Sequence, residues 1–176
     1  KVSNGTGYQT KLIAIGASTG GTVAIRQLLE QLPANLPPIL IVQHMPPGFT
    51  RTFAHRLNEL CPQTVHEAAD GIIAQRGHVY IAAGDRHLEI RRDREGYRLQ
   101  LTDGPKVSGH KPAVDVLFSS VAKVAAPDVI ALILTGMGSD GAIGIRQVSG
   151  NGGYTIAQDE QSCVVFGMPR EAIKTG

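Results

Sequence analysis

The stretch LIAIGASTGG, residues 12–21, decides how the rest of the chain is read. The apolar run Leu12 to Ile15 ends in a turn where Gly16, Gly20 and Gly21 surround Ser18 and Thr19. A short continuous apolar run bounded by glycines is the pattern of a strand buried on both faces. The spacing predicts that strand over Lys11–Ile15 and a helix over Thr22–Leu32, which Pro33 ends.

The same alternation continues outward. Ile39–Val42 predicts a second buried strand and Thr50–Leu60 a second helix. Ala113–Val124 predicts a further helix, Val129–Leu134 a third buried strand, about 141–148 another helix and Tyr154–Ala157 a fourth strand. Buried strands separated by helices imply a doubly wound α/β fold, with a mostly parallel sheet covered by helices on both faces. HVYIA, HLEIRR and YRLQLT, linked by AGDR and DREG, read instead as a small antiparallel β excursion on that sheet. The opening KVSNGTGYQT, residues 1–10, is polar and aperiodic and reads as the end of an interdomain linker. Residues 11–176 are then expected to form one domain, a size that allows a proper core.

Bulk properties exclude several classes of function. Apolar residues are 42% of the chain and charged residues 18%, a globular balance. A formal net charge of +2 requires neither nucleic acid nor an anionic membrane as partner. The densest basic run, EIRRDRE at 89–95, interleaves acids and reads as a solvated face. The absence of Trp and a total of 4 Tyr and 4 Phe argue against a base-stacking surface. No apolar stretch approaches a bilayer-spanning length and no signal peptide opens the sequence. Cys61 and Cys163 are too few for a disulfide framework and lack metal-site spacing, so reduced thiols in a cytosolic protein are expected.

In an open α/β sheet the ligand crevice lies beyond the carboxyl ends of the strands. The segments there are GASTGG, QHMPPG and TGMGSDG, which hold Ser18, His44 and Asp140. GASTGG does not fit a nucleotide cradle. Its glycine spacing is not G-x-G-x-x-G, no Lys follows the last glycine, and Gln43 and His44 stand where a dinucleotide site wants an acid. Gly16–Gly20 does match G-x-S-x-G, the sharp strand-to-helix turn that exposes a nucleophilic serine.

His44 directly follows the apolar run ILIV and precedes a loop stiffened by Pro46 and Pro47. Two aspartates compete to orient its imidazole. Asp85 follows a strand assigned to the antiparallel excursion, whereas Asp140 lies in a glycine-rich loop open to substrate, which favours Asp140. The order Ser, His, Asp disfavours an α/β-hydrolase. His110, in SGHKP, is a candidate binding residue, and no histidine pair has helical metal-ligand spacing, so no metal is expected.

Six collinear stretches carry a resemblance: IGASTGG, VQHMPPGFT, VYIAAGDRHL, KPAVDVLFSSVA, ALILTGMGSDGA and DEQSCVVFGMPREAI, from near residue 12 to near 173. With them the chain resembles the catalytic domain of the chemotaxis receptor methylesterases, protein-glutamate methylesterases of the CheB type. The resemblance implies a doubly wound α/β domain with Ser18 as nucleophile, His44 as general base and acid, and Asp140 as its orienting partner. It also implies an oxyanion hole to which the Met137 amide contributes; Thr19, beside the nucleophile, is a further candidate for polar support.

The implied reaction is hydrolysis of glutamate γ-methyl esters on the cytoplasmic helices of methyl-accepting chemotaxis receptors, releasing methanol, together with deamidation of receptor glutamines. No cofactor, no nucleic acid and no membrane insertion are implied, and a cytoplasmic monomer is expected. Family members carry an N-terminal receiver domain that this chain lacks, and a little more sheet and helix is expected after MPREAI. A non-catalytic receptor-binding adaptor of the same fold is the alternative, which the intact Ser18, His44 and Asp140 disfavour.

Overall fold

Every second residue of the apolar runs points to one side of a single sheet, and two cores result. The computed structural model describes residues 10–176, so nearly all of the linker expectation falls outside the described residues. The strands are β1 (Leu12–Ala17), β2 (Ile39–Gln43), β3 (Thr64–Glu67), β4 (His78–Ile81), β5 (His87–Asp93), β6 (Gly96–Thr102), β7 (Val129–Ile133) and β8 (Tyr154–Ala157). The helices are α1 (Gly21–Gln31), α2 (Phe49–Leu60), α3 (Val114–Val124), α4 (Ala142–Gly150) and α5 (Met168–Ile173).

Six strands form a parallel sheet in the order β3-β4-β2-β1-β7-β8, and β5 and β6 form a separate antiparallel pair. Leu12 and Ala14 of β1, Leu40 and Val42 of β2, and Ala131 and Ile133 of β7 pack on one face with α3, α4, α5 and the β5–β6 hairpin. Ile15 and Ala17, Ile39 and Ile41, and Leu132 and Leu134 face the other way, onto α1 and α2. Each fully buried Leu or Ile of this kind contributes about 1.5–3 kcal/mol of transfer free energy. That is why the runs are apolar at every position rather than at alternate ones.

Two expectations need correcting. His78–Ile81 belongs to the main sheet, parallel to both β2 and β3, so the antiparallel excursion is only β5 and β6. Thr64–Glu67, unassigned in the sequence, is the edge strand β3, and Met168–Ile173 is a short helix. β1 also continues through Gly16 and Ala17, because both still pair with Val42 and Gln43 of β2. The chain leaves β1 for β2 on one side and returns to β7 on the other, so the order reverses at β1 and β7. That reversal opens the crevice used by ligands in open α/β sheets.

Candidate active site

The last register pair of β1 and β2 is Ala17 with Gln43, which makes Ser18 and His44 lateral neighbours at the carboxyl edge. Main-chain bonds extend the pairing past the strands: His44 N–H donates to Ala17 O at 3.1 Å, and Ser18 N–H donates to Thr135 O, beyond β7, at 3.0 Å. The Gln43 side chain, buried between them, donates from Nε2 to Ser18 O at 2.9 Å and to His44 O at 3.3 Å. Ser18 is thus held from both neighbouring strands, and Gly20, with φ +80°, lets the chain turn sharply from it into α1.

Thr135, 1% exposed, ties the loops around that turn. Its hydroxyl donates to Thr19 O at 2.9 Å and accepts the N–H groups of Val164 and Val165 at 3.1 and 3.0 Å. At Gly136 the loop comes so close that a Cβ would stand 2.9 Å from Ser18 Cβ and collide with Met168. Glycine is required there by space. Met137 follows with its side chain 70% exposed, and its N–H finds no acceptor among the described residues.

His44 Nε2 lies 2.7 Å from Asp140 Oδ2, and both side chains are buried. Asp140 also accepts the Val114 N–H on Oδ2 and the Asp115 N–H on Oδ1, each at 2.8 Å. These are the first two amides of α3, a helix with no side-chain cap from its own N-cap residue, so the carboxylate sits on the positive end of a helix dipole. Burial alone would push the Asp140 carboxyl up. The bonds from His44 and the two amides outweigh it and hold the group below its usual range, hence ionised.

A carboxylate accepts only, so Nε2 carries the proton and Nδ1 is the free base of the ring. Nδ1 is buried and has no hydrogen-bond partner among the described residues. His110 lies flat against His44, with ring centroids 3.6 Å apart and planes at 6°. Burial first, then the charges of His44 and Lys106, hold the His110 imidazole below its ordinary value against the pull of Asp140.

Of the sequence candidates, the structure joins His44 to Asp140 and sets Ser18 beside His44, with Met137 next to the glycine that touches Ser18. Thr19 is exposed on the same turn. Asp85 stands elsewhere for a different reason than expected. Its strand β4 is parallel, so it too lies past the carboxyl edge, but its carboxylate is 3.5 Å from Lys111 Nζ rather than on His44. Asp85 and Lys111 line a depression of about 310 Å³ beside His44 and His110, and a second of about 630 Å³ runs along Met137, Phe166 and Arg170. Gly136 is one of the glycines of the loop around Asp140 where the sequence expects a close backbone approach, whereas Thr135 and Asp115 carry no such signal.

Among the described residues no group of three or more His, Cys, Asp or Glu could hold a metal ion, and no helix is long and apolar enough to cross a membrane.

The family profile for CheB methylesterase matches residues 13–176. The chain belongs to the CheB methylesterase family. Curated CheB relatives named protein-glutamate methylesterase/protein-glutamine glutaminase are similar to it throughout. The protein of Yersinia pestis bv. Antiqua is 60% identical over 166 residues, covering 94% of this chain and 48% of the relative. That of Salmonella typhi is 58% identical over the same shares. The chain therefore spans about half the length of the curated relatives it matches. The crystal structure of the Thermotoga maritima CheB methylesterase catalytic domain superposes with a TM-score of 0.91 at 43% identity, covering 93% of this chain and 87% of that one.

Proposed function

We propose that this chain hydrolyses glutamate γ-methyl esters on the cytoplasmic helices of methyl-accepting chemotaxis receptors, and deamidates receptor glutamines by the same route. The observation that carries the reading is the buried His44–Asp140 bond, which leaves a free imidazole nitrogen on a residue directly beside Ser18. The names of the curated relatives supply the substrate class.

In this mechanism Nδ1 of His44 takes the Ser18 proton as Oγ bonds to the ester carbonyl carbon. Asp140, ionised at neutral pH, stabilises the imidazolium that forms. The carbonyl electrons move onto oxygen, which the unpartnered Met137 amide receives while Thr19 lends polar support on the rim. The C–O bond to the methoxy group breaks, His44 gives its proton to that oxygen, and methanol leaves. Water then attacks the acyl-enzyme with His44 again as base, releasing glutamate and restoring Ser18. A glutamine enters the same sequence with ammonia as the leaving group.

The roles need no metal and no cofactor. The full-length protein is proposed to be cytoplasmic, to carry a receiver domain ahead of the segment at 1–10, and to act as a monomer on receptor helices. The test is methanol release from methylated receptor cytoplasmic fragments by this chain and by Ser18→Ala. Release by the first alone, with the melting temperature of the variant unchanged, is expected. No release by a folded wild-type protein would leave the adaptor reading in its place.

A further inference from the structure

The loop that carries Asp140 is held from behind by a second buried carboxylate. Neither α3 nor α4 has a side-chain cap from its own N-cap residue, Ala113 in one and Gly141 in the other. Each takes its cap from the other helix. Asp140, just ahead of α4, accepts the Val114 and Asp115 amides of α3. Asp115, in the first turn of α3, accepts the Gly144 amide of α4 on Oδ1 at 2.8 Å. The two residues are 25 apart in sequence, and each carboxylate accepts a main-chain amide from the first turns of the other's helix, Asp140 from Asp115 itself and Asp115 from Gly144.

Asp115 is 5% exposed and pairs with no basic group among the described residues. Burial pushes its carboxyl up from the usual carboxylate range; the Gly144 amide pulls it down, the Asp140 charge pushes it up again, and the Gly141 amide offsets part of that. Gly141 is the residue next to Asp140. A buried, unpaired carboxylate facing another carboxylate is costly. An apolar side chain would fill this space without that cost, so what sets Asp115 apart is what its oxygen atoms hold. Helix packing sharpens the point. At Gly144 a Cβ would lie 3.2 Å from Asp115 O and press on Phe118, so α3 and α4 approach as closely as main chain allows. The Asp115 oxygen fixes the first turn of α4, and with it the turn that aims Asp140 at His44. Its second oxygen lies 3.5 Å from Ser108 Oγ, in the loop that ends at His110, the ring stacked on His44.

We propose that Asp115 is a positioning residue for ester hydrolysis, acting through the Asp140 turn to keep the carboxylate on His44 Nε2. This rests on the reading of Asp140 as the partner of His44 in catalysis. Asp115 is buried and bonds neither to Ser18 nor to His44 among the described residues, so its removal is expected to act on kcat and not on KM.

The experiment uses Asp115→Ala and the isosteric Asp115→Asn. Two readouts are taken: kcat and KM for methanol release, and the downfield proton resonance of the His44–Asp140 hydrogen bond. In Asp115→Ala the resonance moves upfield or is lost and kcat falls about tenfold to a hundredfold, the scale of a small misplacement, with KM held. Asp115→Asn keeps an oxygen for the Gly144 amide and recovers most of both. A folded Asp115→Ala protein with the wild-type resonance and kcat overturns the proposal. Equal losses of kcat in both variants with the resonance unmoved overturn it too. The resonance is read without turnover, so a wild-type protein that releases no methanol would defeat the esterase reading alone and leave this comparison to be decided.

Discussion

The two sides of Ser18 are built on opposite principles. On the side of His44, the imidazole and Asp140, which the loop after β7 brings to it, are buried, and the Asp140 carboxylate accepts from that imidazole and two helix amides at 2.7–2.8 Å. On the β7 side, Met137 is 70% exposed and its amide has no acceptor among the described residues. The first arrangement keeps a carboxylate and its three donors in one geometry where water cannot compete for them. The second leaves a donor empty, which suits a group whose acceptor arrives only with the substrate. Charge that is always present is enclosed, and the place where the proposed mechanism develops charge transiently is left open.

The comparison breaks hardest at Asp140. Asp140→Ala removes the acceptor from His44 and from the Val114 and Asp115 amides together. A loss of about ten-thousand-fold in kcat is expected, as for the loss of the orienting acid in other triads. Unfolding free energy falls as well, by about 1–3 kcal/mol for the buried donors left without a partner. Ser18→Ala is expected to match it in activity and not in stability, and urea denaturation separates the two. The Asp140 contribution also has a pH signature. Its carboxyl is held below the unfolded value, so the stability it brings is complete above about pH 4 and is lost as pH falls through the folded value. Equal stabilities of the two variants at pH 7 would show that the enclosed side carries no structural weight.

Much of this was legible in the sequence, and the failures have physical causes. LIAI, ILIV and VIALIL announce themselves because both faces are buried and each run ends at a glycine or polar turn. Their carboxyl-edge loops then give Ser18, His44 and Asp140. β3 was missed because Thr64–Glu67 is an edge strand in which only Val65 is buried, so it shows no apolar run. β4 was assigned to a hairpin because HVYIA, a glycine turn and another strand look local, while its partners β2 and β3 are set by the sheet as a whole. Asp85 was set aside for that mistaken reason. The exchange of caps between Asp115 and Asp140 joins positions 25 apart, and no local pattern in KPAVDVL records it.

A gentler probe of the enclosed side is His110, which covers His44 without bonding to it. An imidazole held down in the folded state stays neutral there while the unfolded chain takes up protons near pH 6.5. Unfolding therefore binds protons, and stability falls as pH drops from about 6.5 toward the folded value. His66 shares that window, since burial first and then His78 hold it down too. His110→Phe keeps a flat ring over His44 and removes one of the two titrations. Melting temperatures at pH 7.5 and 5.5 are expected to differ less in the variant than in the wild type, with a residual difference from His66. An unchanged difference would show that the stacked ring takes its proton as readily folded as unfolded.

The smallest effect is expected on the open side, at Met137→Ala. The side chain is exposed, so little burial is lost and stability changes by no more than about 0.5 kcal/mol. What the proposed mechanism uses there is the main-chain N–H, and alanine carries the same one. kcat is therefore expected to stay within about twofold of wild type, since a transition-state interaction made by the backbone survives truncation of the side chain. KM is free to rise, because an exposed thioether beside the 630 Å³ depression is placed where the proposed receptor substrate would dock before chemistry begins. A tenfold fall in kcat at unchanged KM and melting temperature would move the role from the amide to the side chain. The two sides of Ser18 would then differ in burial alone, and no longer in whether side chain or main chain does the chemistry.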